Sequence, residues 1–326
     1  MHPFTYHSAG TVLEAVQAAA RGARYIAGGT TLVDLMRETV ERPDDVVDIS
    51  SLPLNKIHTA GNGILRIGSL VTMAEAAAHP AVRDLYPVIS QALEASASAQ
   101  LRNMATIGGN LLQRTRCSYF RDVSADCNKR RPGSGCAARG GYNRMHAILG
   151  TSASCVAAHA SDLAVALVAL DAVVRLHGKD GERLLPLAEL LLQPGSTPHR
   201  EHALEPGELI MRVEVPEHPG RLASGYLKVR DRQSYEFALT STAVALHVTG
   251  GRITTARVAA GGVGTVPWRL KAVEDALTGR RPSPGLWSEA ARHATRGARP
   301  LTHNRFKLPL LTRTVERQLT EIGGTL

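Results

Sequence analysis

Apolar positions recur in short blocks along this chain, and their period switches repeatedly between that of a helix and that of a strand. Thr11-Val-Leu-Glu14 forms a capping-box pattern, predicting a helix through Ala18 to about Arg21 that stops at Gly22. A short strand over Tyr25–Ala27 then meets Gly28-Gly29-Thr30-Thr31, followed by a helical turn at Leu32–Met36 and a strand at Val46–Ile49. Ile64–Ile67 reads as a strand, Thr72-Met-Ala-Glu75 as a second capping box, and Val82–Ser98 as one long Ala-rich helix. Further on, the pattern predicts a strand at Cys155–Ala158, a helix at Leu163–Leu170 capped by Ser161-Asp162, a hairpin around Gly178–Gly181 and a strand at Glu208–Val215. After a Pro/Gly-rich stretch at 216–220 a new unit begins. It carries strands near Gly225–Val229, Ser241–Val248 and Ile253–Gly261, then helices near Leu270–Leu277, Leu286–Thr295 and Leu310–Ile322, the last entered just after Pro309. We place a domain boundary near residue 220 and find no internal repeat.

From about Leu112 to Gly150 this periodicity fails, and a structureless stretch of that length inside a compact domain marks a functional insertion or disorder. All four cysteines of the chain, Cys117, Cys127, Cys136 and Cys155, fall within 39 residues, separated by nine, eight and eighteen residues. Free thiols, two disulfides and a metal site compete. Disulfides require an oxidising compartment, and the N-terminus shows no basic and apolar export pattern. Structural zinc favours tight Cys-x2–4-Cys knuckles, which are absent. Four widely spaced thiolates suit an iron–sulfur cubane, which takes four cysteine ligands.

Charge sharpens that picture. The net charge is +9, and between Arg114 and Arg144 eight basic residues face only Asp122 and Asp126, so six of the nine surplus charges sit in this one segment. We expect these cations to offset a negatively charged cluster, with Gly133 and Gly135 offering N–H groups to its sulfides. Tyr119, Phe120 and Tyr142 are interleaved with the basic residues as in single-strand nucleic-acid binders, but such binders have no use for four cysteines, and no nucleic-acid partner is expected. Apolar residues make up 44% of the chain, enough for a core, yet no run reaches the ~20 residues of a membrane span. No membrane insertion is expected.

Two glycine-rich segments remain. Tyr25 to Val33 reads as strand, tight turn and helix start, and Arg102-Asn-Met-Ala-Thr-Ile-Gly-Gly-Asn110 sets Thr106 and Asn110 beside Gly108-Gly109. Neither is GxGxxG, and each alone reads as an ordinary turn. Together, roughly seventy residues apart, they suggest two cradles for one long diphosphate ligand. No nucleophile–base pair or paired-carboxylate site stands out, so no catalytic residue is assigned.

Ala27-Gly-Gly-Thr-Thr-Leu32, Arg102–Asn110, Ala160-Ser-Asp-Leu163 and Gly207-Glu-Leu-Ile-Met-Arg-Val-Glu-Val-Pro216 together resemble the flavin subunits of the xanthine dehydrogenase and carbon monoxide dehydrogenase family of molybdenum hydroxylases. The resemblance implies an α+β fold: a two-subdomain FAD-binding unit of the PCMH/vanillyl-alcohol-oxidase type over 1–220 (subdomains of about 1–55 and 56–220), then a CO dehydrogenase flavoprotein C-terminal α+β domain over 221–326. It implies FAD held by Ile26, Ala27, Gly28, Gly29, Thr30, Thr31, Leu32, Val33, Thr106, Gly109, Asn110, Asp162, Ile210 and Lys228. For Lys228 an exposed strand lysine competes with that role. The insertion at about 112–156, through Arg116-Cys-Ser-Tyr-Phe-Arg-Asp122, Cys127–Cys136 and Asn143–Gly150, is similar to that of flavin subunits of periplasmic aldehyde oxidoreductases. By that likeness Cys117, Cys127, Cys136 and Cys155 ligate a [4Fe–4S] cluster.

The implied partners are a molybdenum-cofactor large subunit, a 2Fe–2S small subunit and an external electron acceptor. The implied compartment is the periplasm, reached with a signal-bearing partner, with the cytoplasm as alternative. A reductive aromatic-thioester dehydroxylase would use a similar subunit. A zinc- or RNA-binding module is the non-enzyme alternative.

Overall fold

The computed structural model describes residues 1–218 and 220–326. The capping box at Thr11 forms as expected: its hydroxyl accepts from the Glu14 N–H, and the Glu14 carboxylate accepts from the Thr11 N–H. The helix it starts, Val12–Ala20, buries Ala15, Val16 and Ala18 against Val47 and Ile49. Beneath it lies a parallel three-stranded sheet in the order Thr5–Ser8, Asp45–Asp48, Arg24–Ile26.

A second, antiparallel sheet runs in the order Ile57–Thr59, Leu65–Gly68, Leu209–Val215, Val173–Gly178, Gly181–Pro186. Its inward residues Leu65, Ile67, Val174, Leu176, Val213 and Val215 share a core with the helices Pro87–Glu94 and Asp162–Ala169. The single helix expected over Val82–Ser98 is instead two, Pro80–Leu85 and Pro87–Glu94. Pro87 lacks an N–H and disfavours helical backbone in the residue before it, and Tyr86 sits there at φ −134, ψ 63. The strand expected at Cys155–Ala158 is also not formed. Its carbonyls find scattered partners, Val156 the Ala147 N–H and Ala158 the Thr115 hydroxyl, and among the described residues no neighbouring strand offers a ladder.

The third sheet is antiparallel, in the order Trp268–Arg269, Arg252–Gly261, Thr240–Thr249, Ala223–Val229. Seven consecutive residues from Thr240 to Leu246 are buried because both faces of this sheet are covered. Ala243, Ala245 and Ala259 join the core of the preceding sheet and helices. Val244, Leu246, Val258 and Ala260 face the other way, onto Leu311, Val315 and Leu319 of the helix Lys307–Gly323. That helix begins two residues before Pro309, which lies in its first turn, where a missing N–H breaks no helical bond. Among the described residues no helix is long and apolar enough to cross a membrane.

Candidate functional site

A cavity of ≈ 1140 Å³ opens between the small parallel sheet and the larger core. It exceeds the ~300–1,000 Å³ of ordinary small-molecule sites, and suits a dinucleotide. Its walls include Ile26, Ala27, Gly28, Gly29, Thr30, Thr31 and Leu32 from the first glycine segment, and Thr106, Gly109 and Asn110 from the second. Asp162, Ile210 and Lys228 also line it. Val33 does not: it follows the cradle into the helix Leu32–Arg37, its N–H bonded back to the Gly29 carbonyl, and its side chain faces solvent.

The two glycine segments touch. A Cβ on Gly28 would lie 1.8 Å from the Met104 carbonyl oxygen, so only glycine permits this approach, and Gly29 adopts φ +70. The Thr106 hydroxyl accepts from the Gly109 N–H (3.3 Å), and Asn110 accepts from Ser161, tying the second loop to the helix that begins at Asp162. Ser69 Oγ and Arg116 Nε are buried in the cavity wall without a hydrogen-bond partner among the described residues. Buried polar atoms left in that state cost about 1–3 kcal/mol each. A polar ligand with phosphate and heterocyclic acceptors meets them, so this site fits FAD.

Asp162 and Lys228 form a buried ion pair at the cavity edge. Lys228 Nζ donates to Asp162 Oδ2 at 2.7 Å, with the side chains only 3% and 7% exposed, so Lys228 is no exposed strand lysine. Tyr226 Oη donates to the other carboxylate oxygen at 2.6 Å, and Ser96 Oγ adds a third bond at 3.1 Å. Burial and the adjacent carboxylate push the Tyr226 phenol well above its ordinary value, keeping it a donor. The cluster joins the sheet of Ala223–Val229 to the helix Asp162–Ala169. Lys228→Met leaves that carboxylate without its cation, and we expect a loss of about 3–5 kcal/mol. Urea unfolding would measure it; a midpoint within error of the parent would refute the assignment.

The four thiols converge. Cys117, Cys127, Cys136 and Cys155 line one small pocket with Thr115, Phe120, Asn128 and Lys129, and all four are free, so no disulfide forms. Cys127 and Cys136 face each other across an isolated antiparallel bridge. Burial pushes the Cys117 thiol up to about 12 and raises Cys155, against which Lys129 acts. Among the described residues no three His, Cys, Asp or Glu side chains are gathered closely enough to hold a single metal ion.

The basic residues of the insertion do not ring these thiols as expected. Arg114 pairs with Glu41 and Glu201, Lys129 with Glu201, Arg121 with Asp34 and Glu38, and Arg144 with Asp231. Arg130 gives its guanidinium to the carbonyls of Tyr119, Phe120 and Ala125. The charge surplus therefore mostly answers carboxylates brought from elsewhere in the fold. Gly135 likewise gives its N–H to Asn128 Oδ1 (2.8 Å), away from the sulfurs.

The insertion walls both sites. Arg116 lines the large cavity, and Thr115 and Cys117, on either side of it, line the thiol pocket. Sequence reasoning missed Arg114 and Arg116 as cavity residues, His199–His202 and Leu204–Pro206, and the loop residues Tyr235 and Phe237, all at the cavity. Tyr235, at φ +54, had no sequence signal.

Two histidines beside this region carry a pH consequence. Burial pushes His159 down to about 3 and His202 down to about 4. Both are neutral in the folded chain near pH 7 and regain a value of about 6.5 on unfolding. The folded-state values are depressed, so their stabilising share is full above about pH 6.5, is lost progressively as pH falls below that, and is gone once pH has passed the folded values of about 4 and about 3. Two protons give at most about 2.7 kcal/mol per pH unit. Urea midpoints at pH 7 and pH 5 should differ more in the parent than in His159→Gln/His202→Gln; equal slopes would refute this.

This architecture is that of a flavin-binding subunit, and the chain belongs to the family of the FAD binding domain in molybdopterin dehydrogenase, matched over residues 2–218. Residues 225–321 match the CO dehydrogenase flavoprotein C-terminal domain. The chain is 47% identical over 324 residues, 98% of each chain, to the aldehyde oxidoreductase FAD-binding subunit PaoB of Escherichia coli K12. It is 27% identical over 283 residues to the glyceraldehyde dehydrogenase medium chain of Sulfolobus acidocaldarius, 86% of this chain and 83% of that one. Its fold matches quinoline 2-oxidoreductase of Pseudomonas putida 86 with a TM-score of 0.76 at 24% identity, covering 100% of this chain and 99% of that one. It also matches reconstituted CO dehydrogenase of Oligotropha carboxidovorans at 0.77 and 21% identity, covering 100% of both. The α+β architecture and the FAD cofactor expected from the sequence are thereby those of the family.

Proposed function

We propose that this chain is the electron-transfer flavin subunit of a molybdenum-dependent aldehyde oxidoreductase, and that its four cysteines hold a [4Fe–4S] cluster beside the flavin. The observation that carries the reading is the shared wall: Thr115-Arg116-Cys117 borders a dinucleotide-sized cavity on one side and four convergent thiols on the other. The 47% identity to an aldehyde oxidoreductase flavin subunit supports the substrate class.

In this reading a molybdenum-bearing partner converts an aldehyde and water to a carboxylic acid, two protons and two electrons. A second partner with two 2Fe–2S clusters hands the electrons on. Bound FAD supplies the means to collect them singly and release them to an external acceptor. This chain's residues position and insulate. Gly28 and Gly29 admit the diphosphate to the backbone, Thr106 and Asn110 hold the second loop in shape, and Asp162 with Lys228 fixes the cavity edge. The candidate ligands are the four free thiols that line one pocket, and an iron–sulfur cubane takes four cysteine ligands. The likeness of the insertion to that of periplasmic enzymes supports a periplasmic location, the chain travelling with a signal-bearing partner.

Anaerobic purification of the intact complex tests the proposal. We expect one flavin and about four irons on this chain, with molybdenum and further iron on its partners. Zinc in place of iron, or a complex without molybdenum, would overturn it.

A further inference from the structure

His146 is buried at 5% exposure, and its Nε2 lies 3.1 Å from Cys117 Sγ. Its other ring nitrogen, Nδ1, is buried without a partner among the described residues. Two side chains of the C-terminal unit hold this residue by its backbone. Lys307, completely buried, donates to the carbonyls of Met145 (3.1 Å), His146 (3.0 Å) and Gly262 (2.7 Å). Asn304, also completely buried, donates to the carbonyls of His146 (3.1 Å) and Ala147 (3.3 Å). Among the described residues neither makes a hydrogen bond to a carboxylate. Together these bonds fix the backbone of Met145, His146 and Ala147, and with it the imidazole that faces Cys117 Sγ.

We infer that His146 is a positioning residue that donates its Nε2–H to Cys117 Sγ and so raises the reduction potential of the cluster that Cys117 ligates. This rests on the cluster reading given above. A ligating cysteine is a thiolate and can only accept, while a neutral imidazole carries one N–H. With the proton on Nδ1, that donor would find no hydrogen bond of normal geometry among the described residues, and a lone pair would face the sulfur. With the proton on Nε2, the only unmet atom is a bare lone pair, the cheaper defect. An N–H donated to a ligand sulfur stabilises the more electron-rich, reduced cluster more than the oxidised one. The one-electron couple therefore shifts to higher potential, which favours moving an electron from flavin to cluster. Lys307 and Asn304 act through His146, so the C-terminal unit helps set the poise of a cofactor held by the insertion.

The test is an EPR-monitored redox titration of the intact complex, with iron and flavin counted on the same samples. His146→Phe keeps a ring of similar size and removes the N–H. We expect unchanged iron and flavin, and a cluster midpoint lowered by about 59 mV, the one-electron equivalent of a tenfold change. His146→Gln, which restores an N–H donor, should recover part of the shift. A Phe variant with full iron and the parental midpoint overturns the inference and leaves the cluster reading intact; a parent without iron overturns the cluster reading itself. If the Phe variant loses its iron, pulsed EPR of the parent decides. Protein labelled with nitrogen-15 in histidine should show a histidine nitrogen coupled to the reduced cluster, with an exchangeable proton, and the lack of that coupling sinks the inference.

Discussion

Gly28→Ala is expected to yield a chain that folds but retains less than about a tenth of the parental flavin. The added methyl would sit 1.8 Å from the Met104 carbonyl oxygen, 2.7 Å from its carbon and 3.3 Å from the Ala105 nitrogen. These are backbone atoms, and they are anchored. The Ala105 carbonyl accepts from the Met73 N–H at 2.8 Å, and the Ala105 N–H donates to Leu101 at 2.8 Å. The two cradles must therefore separate, and the polar lining they present to the diphosphate is lost with them. Gly29→Ala is milder, since its cost is left-handed backbone at φ +70 and a 3.2 Å contact to a movable Val33 methyl, about 1–2 kcal/mol. Gly29→Glu adds a carboxylate to an anion site and should also empty it. Flavin absorbance per chain is the measurement. Full flavin in Gly28→Ala would show that the cavity between these loops is not where FAD lies.

Cys127→Ser separates the two cofactors. Cys127 is buried, packs with Leu35 and Phe120, and lies across a strand bridge from Cys136. Serine matches its size, and burying the hydroxyl costs about 1–3 kcal/mol, too little to disturb the loops around the flavin cavity. We expect iron to fall from about four per chain to near none while flavin remains. Iron content equal to the parent would remove Cys127 from the ligand set. Flavin lost together with iron would show that the insertion is integral to the cavity wall, as the position of Arg116 allows.

Local chemistry was readable wherever it was written within a few residues. The capping boxes at Thr11 and Thr72 and the cap at Ser161 formed as the sequence indicated, because each needs only a side chain and the backbone three residues on. The helix expected across Tyr86 failed for an equally local reason: the alanine-rich pattern outweighed Pro87 in the reading, and Pro87 prevailed in the chain. Partners far apart were another matter. The carboxylates that match Arg114, Arg121 and Arg144 lie 73 to 87 residues away in sequence, so a surplus that looked directed at the cysteines is largely directed at Glu41, Glu201, Asp34, Glu38 and Asp231. Lys228 could not be told from a surface lysine, because its counter-ion Asp162 is 66 residues distant.

By itself the sequence determined the helix caps at Thr11, Thr72 and Ser161, the two glycine segments, the gathering of all four cysteines in one aperiodic insertion, and the resemblance to the molybdenum-hydroxylase flavin subunits. Only the tertiary structure decided that the glycine segments touch at Gly28, that Lys228 is buried on Asp162, and that His146 reaches Cys117 under the hold of Asn304 and Lys307. The division has one cause. Turns, caps and side-chain spacing are fixed by atoms near in the chain, whereas burial and long-range pairing depend on which surfaces close upon one another, and no short stretch of residues contains that information.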